Sequence, residues 1–188
     1  MNWFFKIVRI AGASFPVASS LVQLQSELDS DELNRRIQKL EDPISNLHED
    51  VYELSKGIYL ELKNSDIISL KFPDEFYKKY SRALAALESS NYIFQQNRIG
   101  SRIPLSIELS DPTYILYMAL QFENQESMQE ILDIVDRCQI GESVSAENLA
   151  PSLMLPKYVI RAVFEVYESK GYGLRSGGMT KFRYTGKA

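Results

Sequence analysis

The C-terminal end of the chain constrains the fold most strongly, because a helix pattern is followed there directly by a hairpin pattern. In the run PKYVIRAVFEVYESKG the apolar side chains recur at helical spacing, and the face that they form is Val159, Val163, Val166 and Tyr167. Gly171 suits the end of this helix, because glycine adopts left-handed backbone angles at little cost. The run YGLRSGGMTKFRYTG then predicts two strands around a Gly177-Gly178 turn. We therefore expect a hairpin, residues 172–187, that packs against a helix, residues 156–170.

Four shorter patterns precede this helix and hairpin. Asp111-Pro112 begins a helix in the run PTYILYMALQF, because proline is favoured in the first helical turn. A second helix follows in MQEILDIVDRCQ, IGESVS predicts a short strand or turn, and SAENLAPSLML predicts a short helix. The C-terminal part therefore has the predicted order helix, strand, short helix, helix, hairpin.

The segment 47–110 repeats much of this order. A helix is followed by the β-rich run SDIISLKF, and Pro73 then opens one long helix in PDEFYKKYSRALAALESS. The run NYIFQQNRIGSRIPLSIEL predicts a hairpin with Gly100 in its turn. The predicted order is thus helix, short strand, helix, hairpin.

A shift of 80 residues aligns SRALAALESSNY, residues 81–92, with RAVFEVYESKGY, residues 161–172. The aligned identical residues include Glu88 with Glu168, Ser89 with Ser169 and Tyr92 with Tyr172. Such a match is short, but both copies lie where a predicted helix ends and a predicted strand begins. The sequence is therefore compatible with one structural unit used twice, or with a single such unit at the C-terminus.

In this order of elements the C-terminal part resembles the winged-helix superfamily, and the segment 47–110 is similar to a second unit of the same kind. The resemblance implies a mainly α fold with small β-hairpins, of the α+β class. A helical N-terminal segment, residues 1–46, would be followed by one or two winged-helix units, residues 47–110 and 111–188. The tandem arrangement also resembles the paired winged-helix adaptors that dimerise and clasp chromosome-maintenance ATPases of bacteria. It implies a non-enzymatic binding module.

An apolar stripe at alternating spacings of four and three runs through residues 33–54, as is typical of a helix with one apolar face. Pro43 interrupts it, because an interior proline removes a backbone donor and clashes with the preceding turn. The sequence therefore predicts two helices, at about residues 30–41 and 44–63. The first carries the side chains that we expect to mediate homodimerisation, which are Leu33, Ile37 and Leu40.

The run FFKIVRIAGASFPVASSLVQLQSEL, residues 4–28, is apolar but contains Lys6, Arg9 and Pro16. A transmembrane helix needs about 20 nearly uncharged residues, so an anchor is disfavoured. Three interpretations stay open: a kinked helix that packs against protein, a helix that associates peripherally with a membrane through residues 3–28, and a cleaved signal sequence.

The chain has one cysteine, Cys138, and one histidine, His48. One cysteine excludes an internal disulfide and a cluster of thiolate zinc ligands, and it favours a cytoplasmic location. A Ser/His/Asp or Cys/His arrangement would need His48 to meet its partners from distant parts of the chain. We therefore expect no catalytic residue, no metal site, no cofactor and no enzymatic activity.

The net charge of −4 conceals an asymmetry along the chain. Residues 1–150 contain 14 Lys and Arg against 23 Asp and Glu, whereas residues 151–188 contain seven against two. The C-terminal fifth therefore carries a charge of +5 on a protein whose remainder carries −9. A basic region of this kind is typical of a surface that contacts nucleic acid.

In a winged helix the second helix of the helix-turn-helix enters the major groove, and the hairpin contacts phosphates. We expect Lys157, Tyr158 and Arg161 on the outer side of the helix at 156–170, where arginine can bind guanine. Cations of the hairpin would neutralise phosphates, and these are Arg175, Lys181, Arg183 and Lys187. Double-stranded DNA is the expected ligand.

A milder basic face lies in the segment 47–110 and consists of Lys78, Lys79 and Arg82. Asp74 and Glu75 reduce its net charge, so we expect a solvated helix face that contributes less to binding. Two other functions stay open. The chain could serve as a protein-interaction adaptor subunit of a larger complex, or as a membrane-perturbing effector that acts through its hydrophobic N-terminal helix.

Overall fold

The computed structural model describes residues 44, 47–65, 67–97, 100–101, 103–177 and 183–186. The homodimerisation residues, the membrane segment and all of the predicted leader except Ile44 lie outside these residues. The described residues form seven helices and two three-stranded antiparallel sheets, which confirms the α+β class. None of these helices combines the length and apolar composition that crossing a bilayer requires.

The first unit contains three helices and one sheet. Its elements are α1 (Val51–Asn64), β1 (Ser69–Leu70), α2 (Asp74–Lys79), α3 (Ser81–Ser89), β2 (Ile93–Asn97) and β3 (Pro104–Leu109). The spatial strand order is β1-β3-β2, with Leu70 opposite Ile107 and Ile93 opposite Leu109. These paired apolar residues are buried, so one face of the sheet covers the helices.

The second unit contains four helices and one sheet. Its elements are α4 (Pro112–Phe122), α5 (Gln125–Arg137), β4 (Ser143–Ser145), α6 (Ala146–Leu153), α7 (Lys157–Ser169), β5 (Gly173–Ser176) and β6 (Arg183–Gly186). The strand order is β4-β6-β5, which repeats the order of the first sheet. Tyr184 on the middle strand packs on Phe164 of α7, with 5.5 Å between the ring centroids.

Helix α4 joins the cores of the two units. Every residue from Thr113 to Ala119 is buried, and α4 packs on both α1 and α7. The Tyr114 hydroxyl shares a 2.8 Å hydrogen bond with Ser55 of α1, and Lys63 Nζ lies 2.5 Å from Glu123 Oε1. A helix that is apolar on all sides has to be buried on all sides, and here a neighbour from each unit covers it.

The predicted helix at 44–63 is wrong at its start, because α1 begins at Val51. A local turn takes the place of the first helical turns: the Asp50 N–H donates to His48 Nδ1 at 3.2 Å, and the Val51 N–H donates to the His48 carbonyl at 3.0 Å. Side chains that bond to nearby backbone compete with helix formation. The apolar spacing of the stripe gave no sign of this competition.

The single helix predicted after Pro73 is also wrong, because it is divided into α2 and α3 at Tyr80. Tyr80 has φ −102° and ψ 18°, outside the helical range. Aromatic packing accompanies the break: Phe76 stacks on Phe72 at 4.1 Å and contacts Tyr80 at 4.9 Å between ring centroids. Both contacts join residues four positions apart, so local aromatic packing surrounds the point where α2 ends.

The second hairpin approaches the core closely at Gly173. A β-carbon at this position would overlap the ring of Tyr184 on the neighbouring strand. Gly171, just before the strand, has φ +78°, and its N–H donates to the Glu168 carbonyl at 2.8 Å. This confirms the predicted glycine at the end of the helix and shows why the turn can be so tight.

Candidate nucleic-acid interface

Helix α7, the expected DNA-reading helix, is largely a core element. Eight of its thirteen residues are buried, since it packs on α4, α5, α6 and the second sheet. Tyr158 is 2% exposed, so its expected position on the outer side of the helix is wrong. Lys157 is partly exposed, and its Nζ lies 5.5 Å from the centroid of the Tyr158 ring. A helix with neighbours on several sides leaves only a narrow polar stripe for a ligand.

That stripe contains a network of four charges that joins α7 to β5. The Arg161 Nε donates to Glu165 Oε1 at 2.8 Å, and Arg175 Nη1 donates to the same oxygen. The Arg175 Nε also donates to Glu168 Oε2 at 3.3 Å. The four side chains are only 20–34% exposed. Two of the residues expected to contact DNA, Arg161 and Arg175, are therefore engaged by carboxylates, and the network has no net charge.

The remaining expected cations lie on or beside the second hairpin. Arg183 is exposed on β6, opposite Ser176 on one side and Ser145 on the other. Lys181 and Lys187 lie outside the described residues. The structure therefore places Arg161 and Arg175 together, whereas Arg183 lies on the opposite face of the sheet from Arg175, because neighbouring strand positions alternate.

Glu168 makes the same contacts as its sequence counterpart Glu88. The Glu168 Oε1 accepts from the Arg175 backbone N–H at 2.8 Å, and Glu88 Oε1 accepts from the Gln95 backbone N–H at 2.8 Å. The other oxygen of each carboxylate binds the side chain of the same strand residue. The two partners, Gln95 and Arg175, are also 80 residues apart. Each glutamate joins a hairpin to the preceding helix and satisfies an N–H on an edge strand.

The turn between helix and strand is repeated as well. Asn91 has φ 61° where Gly171 has φ 78°, and each donates its N–H to the carbonyl of the glutamate three residues earlier. Asparagine is one of the few residues that tolerates left-handed angles. The short sequence match therefore corresponds to one backbone structure that occurs in both units.

In the first unit, Lys78, Lys79 and Arg82 are all exposed around the junction of α2 and α3. Within the part of the chain that the structure describes, no carboxylate lies within 4 Å of these three cations. The Lys79 ammonium lies 4.6 Å from the centroid of the Tyr80 ring, and a hydrogen bond with the Tyr80 hydroxyl raises the pKa of Lys79. These side chains present positive charge directly to solvent.

Sequence reasoning missed the small side chains that surround Arg82 on the outer face of α3. Only three of its nine residues are buried, and the exposed positions beside Arg82 carry the small side chains Ser81, Ala85 and Ser89. Ala85 corresponds to Glu165 under the 80-residue shift. Comparison of the aligned helices position by position would have revealed this difference, since one helix has alanine where the other has a carboxylate.

Two tyrosines, Tyr167 and Tyr184, pack between the second hairpin and the helices. The Tyr167 hydroxyl donates to Asp136 Oδ1 at 2.6 Å, and burial together with this bond raises the pKa of Tyr167. Burial raises the pKa of Tyr184 to about 12, with smaller contributions from Cys138 and Asp136. Both phenols stay neutral at physiological pH. Tyr184 packs β6 against Phe164 and Tyr167 of α7, and Tyr167 joins α7 to α5 through Asp136.

The described residues contain no group of three or more His, Cys, Asp or Glu side chains arranged to hold a metal ion. A shallow depression along α5 is lined by residues of that helix alone, among them Glu130, Asp133 and the apolar Ile134. Comparison of the chain with protein-family models, with curated proteins and with solved structures finds no match.

Proposed function

We propose that the protein is a non-enzymatic nucleic-acid-binding protein with two winged-helix units, and that its first unit makes the principal contact with duplex DNA. Support comes from the order of elements in each unit, which ends in a helix and a hairpin, and from the strand order that both sheets share. A winged helix presents the helix before its hairpin to the major groove. In the first unit this helix is α3.

The exposed cations at the α2–α3 junction carry the proposal. Lys78, Lys79 and Arg82 lie within five consecutive positions and have no carboxylate within ion-pair distance among the described residues. Small neighbours such as Ser81 and Ala85 leave room for a phosphate backbone to approach the helix. By contrast, Arg161 and Arg175 would have to exchange a carboxylate for a phosphate before they could bind. Cations without carboxylate partners release counterions on binding at no such cost.

Fluorescence anisotropy with a labelled duplex, at low and at moderate salt, tests the proposal. We expect Lys78→Glu and Arg82→Glu each to weaken binding about tenfold at low salt and to lower the salt slope by about one. Lys56→Glu is the matched control, because Lys56 is an exposed lysine on α1 of the same unit. Arg161→Ala should change the affinity little.

The possible outcomes distinguish binding by the first unit from binding by the second unit and from an effect of total charge. Absence of salt-dependent binding would contradict the proposed function. Binding that depends on Arg161 and not on Lys78 or Arg82 would move the principal contact to the second unit. An equal loss from Lys56→Glu would show that the effect follows total charge and not the α2–α3 junction.

A protein-interaction adaptor is the second candidate function. Both hairpins expose an apolar side chain at corresponding positions, Phe94 on β2 and Leu174 on β5, and these are 55% and 56% exposed. Tyr172 beside Leu174 is 57% exposed. A stoichiometric complex that survives nuclease treatment and is lost in a Phe94→Ser/Leu174→Ser variant would favour this function over DNA binding.

A further inference from the structure

The charge network of the second unit is an addition to a framework that both units share. Under the 80-residue shift, Glu168 and Arg175 correspond to Glu88 and Gln95, and both pairs join a helix to a strand. The remaining members of the network have no charged counterpart. Ser81 stands at the position of Arg161, and Ala85 stands at the position of Glu165.

Glu165 takes no part in holding the hairpin backbone. The Arg175 backbone N–H donates to Glu168, whereas the contacts of Glu165 are with the guanidinium groups of Arg161 and Arg175. Both guanidinium groups reach the single oxygen Oε1 of Glu165. Glu165 therefore occupies the position where an oxygen of another anion would bind both arginines.

We propose that Arg161 and Arg175 form a latent phosphate-binding site, with Glu165 as the internal anion that fills it. The ligand is a phosphodiester of a polynucleotide, because two guanidinium groups converging on one oxygen match the geometry and charge of a phosphate. The inference rests on the proposed function only in that both take a nucleic-acid backbone as ligand. While the Glu165 carboxylate binds both arginines, they do not bind a phosphate.

The variant Glu165→Ala gives the second unit the residue that the first unit has at this position. In the full chain we expect duplex binding to become about tenfold tighter at low salt, with a steeper salt slope, since the carboxylate that binds both guanidinium groups is removed. Glu130→Ala is the matched control, because it removes an exposed carboxylate from α5. Adding Arg161→Ala and Arg175→Ala to Glu165→Ala should abolish the gain.

Glu165→Ala should give the same gain in a Lys78→Glu/Arg82→Glu background, because the latent site does not use those two cations. If the unmodified chain does not bind duplex but Glu165→Ala does, the latent site stands and the proposed function fails. If the unmodified chain binds and Glu165→Ala gains no more than Glu130→Ala, the latent site is refuted. Binding by neither protein refutes both.

Thermal unfolding of each variant checks that the network's loss does not disrupt the fold. Glu165→Gln serves as a second variant of nearly the same size, in case the smaller alanine destabilises α7. A gain in affinity from both substitutions supports the latent site. A gain from alanine alone, accompanied by a lower unfolding temperature, would assign the effect to unfolding and overturn the inference.

Discussion

The two units have the same connection between helix and hairpin but expose different helices. In both, a glutamate in the last helical turn binds the backbone N–H and the side chain of the strand residue seven positions later. Yet three of nine residues are buried in α3 and eight of thirteen in α7. The first unit leaves one face of its helix exposed to solvent, whereas the second unit uses the equivalent helix as part of the core.

The difference shows that position in a repeated framework does not decide how much of a helix is buried. Helix α7 is covered because α4 lies against it, and α4 is apolar on every side. The face of α7 that stays partly open is neutralised by Glu165 and Glu168. The two arginines that are bound by carboxylates, Arg161 and Arg175, thus lie in the C-terminal fifth of the chain, which carries the +5 charge in the sequence.

The largest effect should come from Phe164→Ala in α7. Its ring is fully buried and stacks on Tyr184, so truncation leaves a cavity and should lower the free energy of unfolding by about 3–5 kcal/mol. Chemical denaturation measures this value. Leu174→Ala on the exposed face of β5 is the control and should cost much less. A small decrease in the free energy of unfolding for Phe164→Ala would contradict the conclusion that α7 is a core helix.

The stability contributed by Tyr114 in the shared core and by Tyr184 in the second hairpin should depend differently on alkaline pH. Burial raises the pKa of Tyr114 in α4, and its unfolded value is near 10.0, so the stability that this neutral phenol contributes is present below pH 10 and is lost as pH rises toward the folded pKa. The stability difference between the unmodified protein and Tyr114→Phe should therefore fall by about 1.4 kcal/mol for each pH unit above 10.

Tyr184→Phe provides the comparison. Its phenol has a pKa of about 12 in the folded protein, so the corresponding fall should level off near pH 12, whereas that for Tyr114 continues. Denaturation at a series of pH values that runs from neutral to well above 12 measures both. Identical profiles for the two variants would contradict the deeper burial of Tyr114.

The paired glutamates should have similar and moderate effects. Glu88→Ala and Glu168→Ala each remove the acceptor for a backbone N–H on an edge strand, which should cost about 1 kcal/mol. Glu→Gln at either position should restore part of the loss, because the amide oxygen still accepts. A cost at only one of the two positions would show that the repeated contacts are not equivalent.

The smallest effect should come from Ala85→Glu, which gives α3 the residue that α7 carries at the corresponding position. A carboxylate three residues after Arg82 should weaken duplex binding about fivefold without a change in unfolding temperature. Ala85→Gln is the control of equal size and should bind as the unmodified protein does. Equal losses from both would mean that α3 is sensitive to bulk and not to charge.

Much of the fold could be predicted from apolar spacing and turn residues. The C-terminal helix and hairpin, the glycine at Gly171 and the helix after Asp111 all occur where the sequence indicates. Two helix boundaries were wrong: a histidine-centred turn precedes Val51, and the rings of Phe72, Phe76 and Tyr80 pack together where α2 ends. Such contacts depend on side-chain directions that periodicity does not contain.

The candidate site was less predictable than the fold. Glu165 and Glu168 are visible in the sequence as acidic residues on the expected DNA-reading helix. Their pairing with Arg175 depends on how the hairpin folds back onto α7, and Arg175 is ten residues away from Glu165 along the chain. The burial of Tyr158 likewise required α7 to have neighbours on more than one side.

The sequence by itself determined the α+β class, the order of elements and the repeated glutamate and turn at an interval of 80 residues, because these depend on local propensity and spacing. Only the tertiary structure decided which basic residues are available. Coulomb interactions depend on distance and solvent exposure, and these are set when α4 covers α7 and when β5 brings Arg175 to Glu165. A count of charges along the chain contains neither quantity.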